Sequence, residues 1–440
     1  MATLLVLLIS NSTQAQFNNS DTTNQLTIKA QIRPRTEFRN GAFRPLAYGE
    51  HPALLVSQRS RITINYTHKN IFSMEFSPQV VSIWGQDPMI QGTTTGNGLA
   101  LFEAWVKLRT GNYSLLQVGR QTIGFDDERV MGAFDWAQGA RAHDAISYKR
   151  KKNNLEAQVH AVYNQNYKTV YGNNLNNPTG TLFNPKDASP YKWMQNLWIK
   201  YTIKKQNNIS LFVNNLGFQN AKNNADDSAK TYFTQTFGGN YFHTGSKWNY
   251  NVSVYYQTGK NQSGLTTNAY LIATNIEKII NKQWRAALGG DFLSGNNANG
   301  QTSQKNHAFM PYFGTNHKFY GSMDYYYTTS GHKNTGLNDF YVRASYLLEN
   351  KLKATLTAHQ FLSPVVLKNQ LTRYSQNLGQ EIDLELNYIL HNHISITGGY
   401  SIYHVTASTR FLKDITSSNP FQHWAWCQLN VNAEILKMKL

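Results

Sequence analysis

Apolar and polar side chains alternate with period two along most of the chain. Leu26, Ile28, Ala30 and Ile32 alternate with Thr27, Lys29, Gln31 and Arg33. Phe102, Ala104, Val106 and Leu108 alternate with Glu103, Trp105, Lys107 and Arg109. Ile382, Leu384, Leu386 and Tyr388 alternate with Glu381, Asp383, Glu385 and Asn387, and Leu429, Val431, Ala433 and Ile435 with Gln428, Asn430, Asn432 and Glu434. Successive side chains of a strand point to opposite faces, so each segment has one apolar and one polar face. Many of these segments run well past the roughly 5–6 residues of a typical soluble strand. They approach the roughly 9–11 residues with which a tilted strand crosses a bilayer.

The connections give the topology. Short links fall at 67–70, 109–112, 149–154, 204–208, 243–247, 280–283, 348–351 and 390–393. Between them lie mostly longer connections at 39–54, 85–98, 125–140, 165–190, 220–228, 260–266, 295–338, 362–379 and 405–423. Regular short–long alternation marks a meander with tight turns at one rim and loops at the other, as in outer-membrane barrels. Eight links plus nine loops join 18 strands, an even number, with both chain ends on the short-link side. Residues 307–313 and 318–327 could add a hairpin around 314–317 and raise the count to 20. The expected fold is all-β: a transmembrane, antiparallel, up-and-down β-barrel. Lipid satisfies no backbone N–H or C=O, so a spanning sheet must close. At about 16–18 strands closure leaves a water-filled channel.

Composition agrees. Of 440 residues only 15% are charged, whereas 13% are aromatic, including 26 Tyr and 22 Phe, as interfacial girdles require. Trp248, Tyr250, Tyr256, Trp424 and Trp426 are candidate girdle residues. Past the N-terminus no apolar run reaches the roughly 18 residues of a membrane helix. Residues 1–15 have the apolar core and small-residue end of an export signal, 16–25 a short lead, and 26–440 a single barrel domain. So short a lead leaves no room for a separate plug domain. Cys427 is the only cysteine, so no intrachain disulfide forms. The net charge of +17 does not imply nucleic acid, because many basic residues sit in the short links and an exported chain does not normally meet DNA.

The polar faces carry the candidate chemistry. Arg33, Arg35, Arg39, Arg59 and Arg61 lie on the first two strands, with Glu37 among them, and form a ladder down one wall. Lys107, Lys200, Arg285, Arg343 and Lys353 add cations elsewhere, whereas Glu75, Glu103, Glu156, Asp291, Glu381, Asp383 and Glu385 supply acids. Two readings stand: these charges pair across the lumen and brace it, or unpaired guanidiniums take up carboxylates bidentately.

One stretch interrupts the rhythm: VGRQTIGFDDERVMGAFDWAQGARAHDA, residues 118–145. Gly119, Arg120, Gln121, Ile123, Phe125, Arg129, Gly132, Trp136, Gln138, Arg141, Asp144 and Ala145 together resemble the hallmark of the alginate-export family of outer-membrane proteins. A second stretch, His317–Gly321 with Asp324 and Gly336–Asp339, resembles that family's later motif. The resemblance implies an 18-stranded, monomeric barrel with an electropositive lumen that conducts an anionic polysaccharide. It places the second stretch in a loop, which favours 18 strands over 20. It assigns Arg120, Arg129, Arg141 and Asp144 to the lumen or its constriction, with Trp136 available either to pack the loop or to stack on a sugar ring. The acidic strand at 381–385 and the terminal Lys-Met-Lys-Leu depart from that pattern.

The expected protein is therefore a passive outer-membrane channel for acidic oligo- or polysaccharide or related solutes, embedded in outer-membrane lipid. The alternative is a general porin indifferent to polymers. A hydrolase finds little support, since the histidines are scattered and no G-x-S-x-G elbow occurs. No metal-binding spacing and no phosphate-cradling loop suggest a cofactor.

Overall fold

The computed structural model describes residues 23–86, 98–165, 191–219, 230–297, 305–326, 333–349, 351–369 and 371–440. The export signal, most of the 16–25 lead, and most of the loops at 85–98, 165–190 and 220–228 lie outside the described residues. Eighteen strands form one antiparallel sheet. They are β1 (Gln25–Asn40), β2 (Ala53–His68), β3 (Phe72–Ile83), β4 (Ala100–Gly111), β5 (Ser114–Gln121) and β6 (His143–Lys152). Then follow β7 (Leu155–Tyr163), β8 (Trp193–Lys204), β9 (Asn207–Gln219), β10 (Thr231–Thr244), β11 (Trp248–Gly259) and β12 (Ala269–Ile279). The last are β13 (Trp284–Leu293), β14 (Leu337–Leu348), β15 (Leu352–Leu362), β16 (Asn377–His391), β17 (Ile394–Val405) and β18 (Phe421–Lys439).

Each strand pairs with its neighbour in sequence, and β18 closes the barrel on β1 from Gln25↔Lys439 to Asn40↔His423. Closure leaves no sheet edge in contact with hydrocarbon. Seven of the short links are tight turns at one rim, and at the eighth Lys351 N–H bonds the Leu348 carbonyl at 2.9 Å. Residues 307–326 are a folded loop with a single 3₁₀ turn at Asn316–Lys318 and add no strand to the wall. The count is 18.

The alternation sorts side chains as lipid requires. Leu288, Val342, Leu356, Ile382 and Ile146 stand exposed on the outside, whereas Asp291, Asp339, His359, Glu381 and Ser147 are buried on the inside. Trp248, Tyr250 and Tyr256 share the outward face with Val252 and Val254. Trp424 and Trp426 do not belong to this girdle. They are buried inside the lumen, with ring centroids 5.8 Å apart, on the same side as Gln428, which hydrogen-bonds Arg35.

Near the loop rim the outward face turns polar. Gln235, Asn215 and Gln195 form an amide ladder with two 2.8 Å bonds, and Gln360, Gln380 and His404 form another at 2.7 and 3.0 Å. Paired in this way, polar groups satisfy one another where hydrocarbon gives way to headgroups.

The face assignment is testable at mid-strand. Leu288→Arg is expected to destabilise the barrel by about 2–4 kcal/mol, as a cation at depth on a lipid face does. Denaturant titration of the protein in liposomes reads this directly. A substitution at the inward neighbour, Ala287→Ser, is expected to shift the midpoint far less.

Candidate functional site

The third long loop (122–142) and residues 305–326 of the seventh both turn into the barrel. The third is gripped by the arginine ladder. The Arg33 guanidinium donates to the carbonyls of Asp135 and Ala137, each at 2.8 Å, and to the Gln138 side chain at 3.1 Å. Arg35 donates to the Trp136 carbonyl and lies 3.8 Å from the centre of its indole ring. Arg59 donates to the Asp135 carboxylate at 2.8 Å, and Arg33 and Arg61 approach that carboxylate to 3.7 and 3.8 Å. Gln79 on β3 donates to the Gly139 carbonyl at 2.8 Å.

The grip follows from chemistry. A guanidinium offers five donors and a loop turned inward offers unpaired carbonyls. Burial alone would raise the Asp135 pKa, but Arg59, Arg33 and Arg61 outweigh it and hold the carboxyl below its usual range.

The seventh loop is held by the opposite charge. Met323 N–H donates to Glu381 at 2.7 Å and Ser322 N–H to Asp383 at 3.3 Å. His359 bridges Asp339 (2.9 Å) and Asp383 (3.7 Å) on the wall. One wall thus supplies donors for loop carbonyls, and another supplies acceptors for loop N–H groups.

The two loops also bind each other. Gly132 N–H donates to the Phe313 carbonyl and Thr315 N–H to the Glu128 carbonyl, both at 2.8 Å. The Trp136 and His317 rings stack at 3.4 Å, with Trp424 and Trp426 each 6.1 Å from Trp136. Glycine is required at this contact. A Cβ on Gly132 would fall 2.3 Å from Thr315 Oγ1, and one on Gly314 2.2 Å from the Arg129 carbonyl. The two sequence stretches that suggested the family therefore meet in space, as one body across the lumen.

Arg129 and Arg141 both lie in this body. Arg129 is buried between Asp127 (2.8 Å) and Asp291 (2.5 Å), with Phe319 3.9 Å from its guanidinium. Arg141 donates to the Gly132 carbonyl at 3.1 Å and to that of Phe313. They knit the loops to each other and to the wall.

Arg120 and Asp144 require a correction. They pair at 3.0 Å across β5 and β6, but on the outer face in line with Val118 and Ile146. Arg120 Nε also donates to the Leu101 carbonyl at 2.9 Å. They are an external staple near the loop rim and do not line the pore.

Of the two readings of the ladder, its arrangement favours bracing over unpaired guanidiniums. Arg33, Arg35 and Arg59 are almost wholly buried behind the loop they hold. Arg39 pairs with Glu37 at 2.9 Å. Trp136 is enclosed by Arg35, His317, Trp424 and Trp426, a packing role.

Elsewhere Glu103 accepts from Thr122 N–H at 2.9 Å, Glu75 from Asn65 at 3.3 Å, and Lys107 lies 4.5 Å over the Trp105 ring. Arg285, Arg343 and Glu385 sit on the inner wall, nearer the short-turn rim than the loops. Period-two reasoning did not single out Gln79, Ser57, Gln138 or His359. The first two share the inward face of their strands with charged candidates, which was the available signal.

A closed 18-strand barrel with an apolar exterior, charged and polar groups on its inner wall and two loops folded inward is an outer-membrane channel. The sequence profile of the alginate export family matches residues 25–419, and the chain belongs to that family. No curated protein matches the chain in sequence. Solved structures match in fold. Acinetobacter baumannii OccAB4 is 12% identical, with a TM-score of 0.62, covering 96% of this chain and 100% of that one. Pseudomonas aeruginosa OpdL is 10% identical, with a TM-score of 0.62, covering 93% and 99%. Acinetobacter baumannii OccAB2 is 12% identical, with a TM-score of 0.60, covering 93% and 98%.

Two outcomes follow for the loop clasp. Arg59→Met removes the best-buried donor to Asp135 and is expected to loosen the third loop by about 1–3 kcal/mol. In planar bilayers it should raise mean conductance and add flicker. Because the Asp135 pKa is depressed, its contribution is complete above the ordinary carboxylate range and is lost as pH falls through the folded value. Wild-type conductance should hold steady at neutral pH, and flicker should grow only in acid.

Proposed function

We propose that this protein is a passive, monomeric channel for acidic oligo- or polysaccharide, in which the paired third and seventh loops set the bore. A single chain closes its own barrel, so one copy encloses one water column. The observation that carries the reading is the two-sided clasp. Walls of opposite sign hold a loop body across a lumen that 18 strands would otherwise leave wide. Such a body restricts passage to extended, narrow solutes. Membership in the alginate export family points to a carboxylated sugar chain as the narrow solute. Cations on the wall below the loops supply attraction for it.

A general porin is the second reading. It is favoured by one fact: the ladder arginines, the obvious polyanion track, are occupied by the loop.

Single-channel recording separates the two. With a uronic acid tetramer added, the channel is expected to show transient blockades and, in salt gradients, anion preference. A neutral tetramer of equal size should block far less. Cation preference, or equal indifference to both sugars, would remove the saccharide reading and leave the general porin.

A further inference from the structure

Resting on that reading, we propose that a carboxylate-binding station occupies the lumen wall between the loops and the short-turn rim, formed by Arg285, Arg343 and Lys353. These residues lie on three consecutive strands, β13, β14 and β15. All three face inward: Arg285 shares its strand face with Asp291, Arg343 with Asp339, and Lys353 with His359. The registers stagger them along the wall. Arg285 is opposite Ser345, two residues from Arg343, so the two arginines are diagonal neighbours, roughly 7–8 Å apart at the backbone. Lys353 is opposite Leu347, four residues from Arg343 and two beyond Ser345, a further step toward the short-turn rim.

Two acids frame the group. Glu277 on β12 is opposite Ala287, which is itself opposite Arg343, and Glu385 on β16 is opposite Thr355. The order across five strands is thus acid, three cations, acid. Lys353 interacts electrostatically with Glu385, Arg343, Glu277 and Arg285.

The cations are available. Among the described residues, Arg285 and Lys353 have no hydrogen bond or ion pair, and Arg343 bonds the Thr357 hydroxyl, at 3.4 Å, with its guanidinium 5.2 Å from the centre of the Tyr341 ring. Each retains exposure, unlike Arg33, Arg35 and Arg59. Residues 285 to 291 carry β13 from this patch up to Asp291, where Arg129 docks, about 20 Å along the strand. The patch therefore lies on the wall below the loop body.

Guanidiniums bind carboxylates bidentately, and a lysine adds a point charge. The Ser345, Thr355 and Thr357 hydroxyls lie on the same inward faces and suit sugar hydroxyls. The flanking acids confine a polyanion to the three central strands. The ligand class is a carboxylated sugar, held before or after it threads the constriction.

The test uses the full-length mature protein in planar bilayers, with a uronic acid tetramer added to one side at a time. Arg285→Gln, Arg343→Gln and Lys353→Gln are combined. For addition at the short-turn side, blockade dwell time should fall about tenfold, the scale of a few partly exposed ion pairs. Addition at the loop side should change less, and conductance in salt alone should persist. Lys353→Gln alone, at an exposed position, should give a smaller fall and guards against misfolding of the triple variant. Glu277→Gln with Glu385→Gln should lengthen dwell. Unchanged dwell in the triple variant, with wild type still blocked, would overturn the station alone. A wild-type channel that the tetramer never blocks would overturn the saccharide reading and the station together.

Discussion

Hydrocarbon offers no partner to a peptide N–H or C=O, and every other feature of this molecule follows from that lack. The sheet must close, and closing 18 strands encloses water. The same strands then present two solvents with two faces, and period two is the only sequence pattern that serves both. A wall built this way is a good container but a poor filter. Selectivity must come from material placed inside it.

That material is the pair of inward loops. A loop entering a barrel carries unsatisfied carbonyls on one side and N–H groups on the other. The wall answers each with the matching charge: guanidiniums of β1 and β2 for carbonyls, carboxylates of β16 for N–H groups. This explains why the ladder is buried although it faces a lumen. It also relocates the question of cargo attraction to cations the loops leave uncovered.

Much of the fold was legible in the sequence because strand parity and turn spacing are local. The eight short links, the count of 18 and the inward placement of Arg33, Arg59, Asp291 and Glu381 all follow from them. Parity also held the answer where motif resemblance misled. Arg120 shares a face with Leu116 and Val118, so it points to lipid whatever the motif suggests. Trp424 and Trp426 share theirs with Gln428 and Asn430, so they point inward. The partners of the arginines were not legible. The grip of Arg33 on residues 135–138 joins positions about a hundred apart in sequence, and no periodicity encodes which loop folds onto which wall.

The central claim is that adjacent residues of one strand live in different solvents, and lipid-specific quenching measures it most directly. A fluorophore is attached to a cysteine placed at Val342 or, separately, at Arg343, with Cys427→Ser removing the native thiol. The account predicts strong quenching by brominated lipid at 342 and by aqueous iodide at 343. Equal quenching of the two positions by either agent would contradict it.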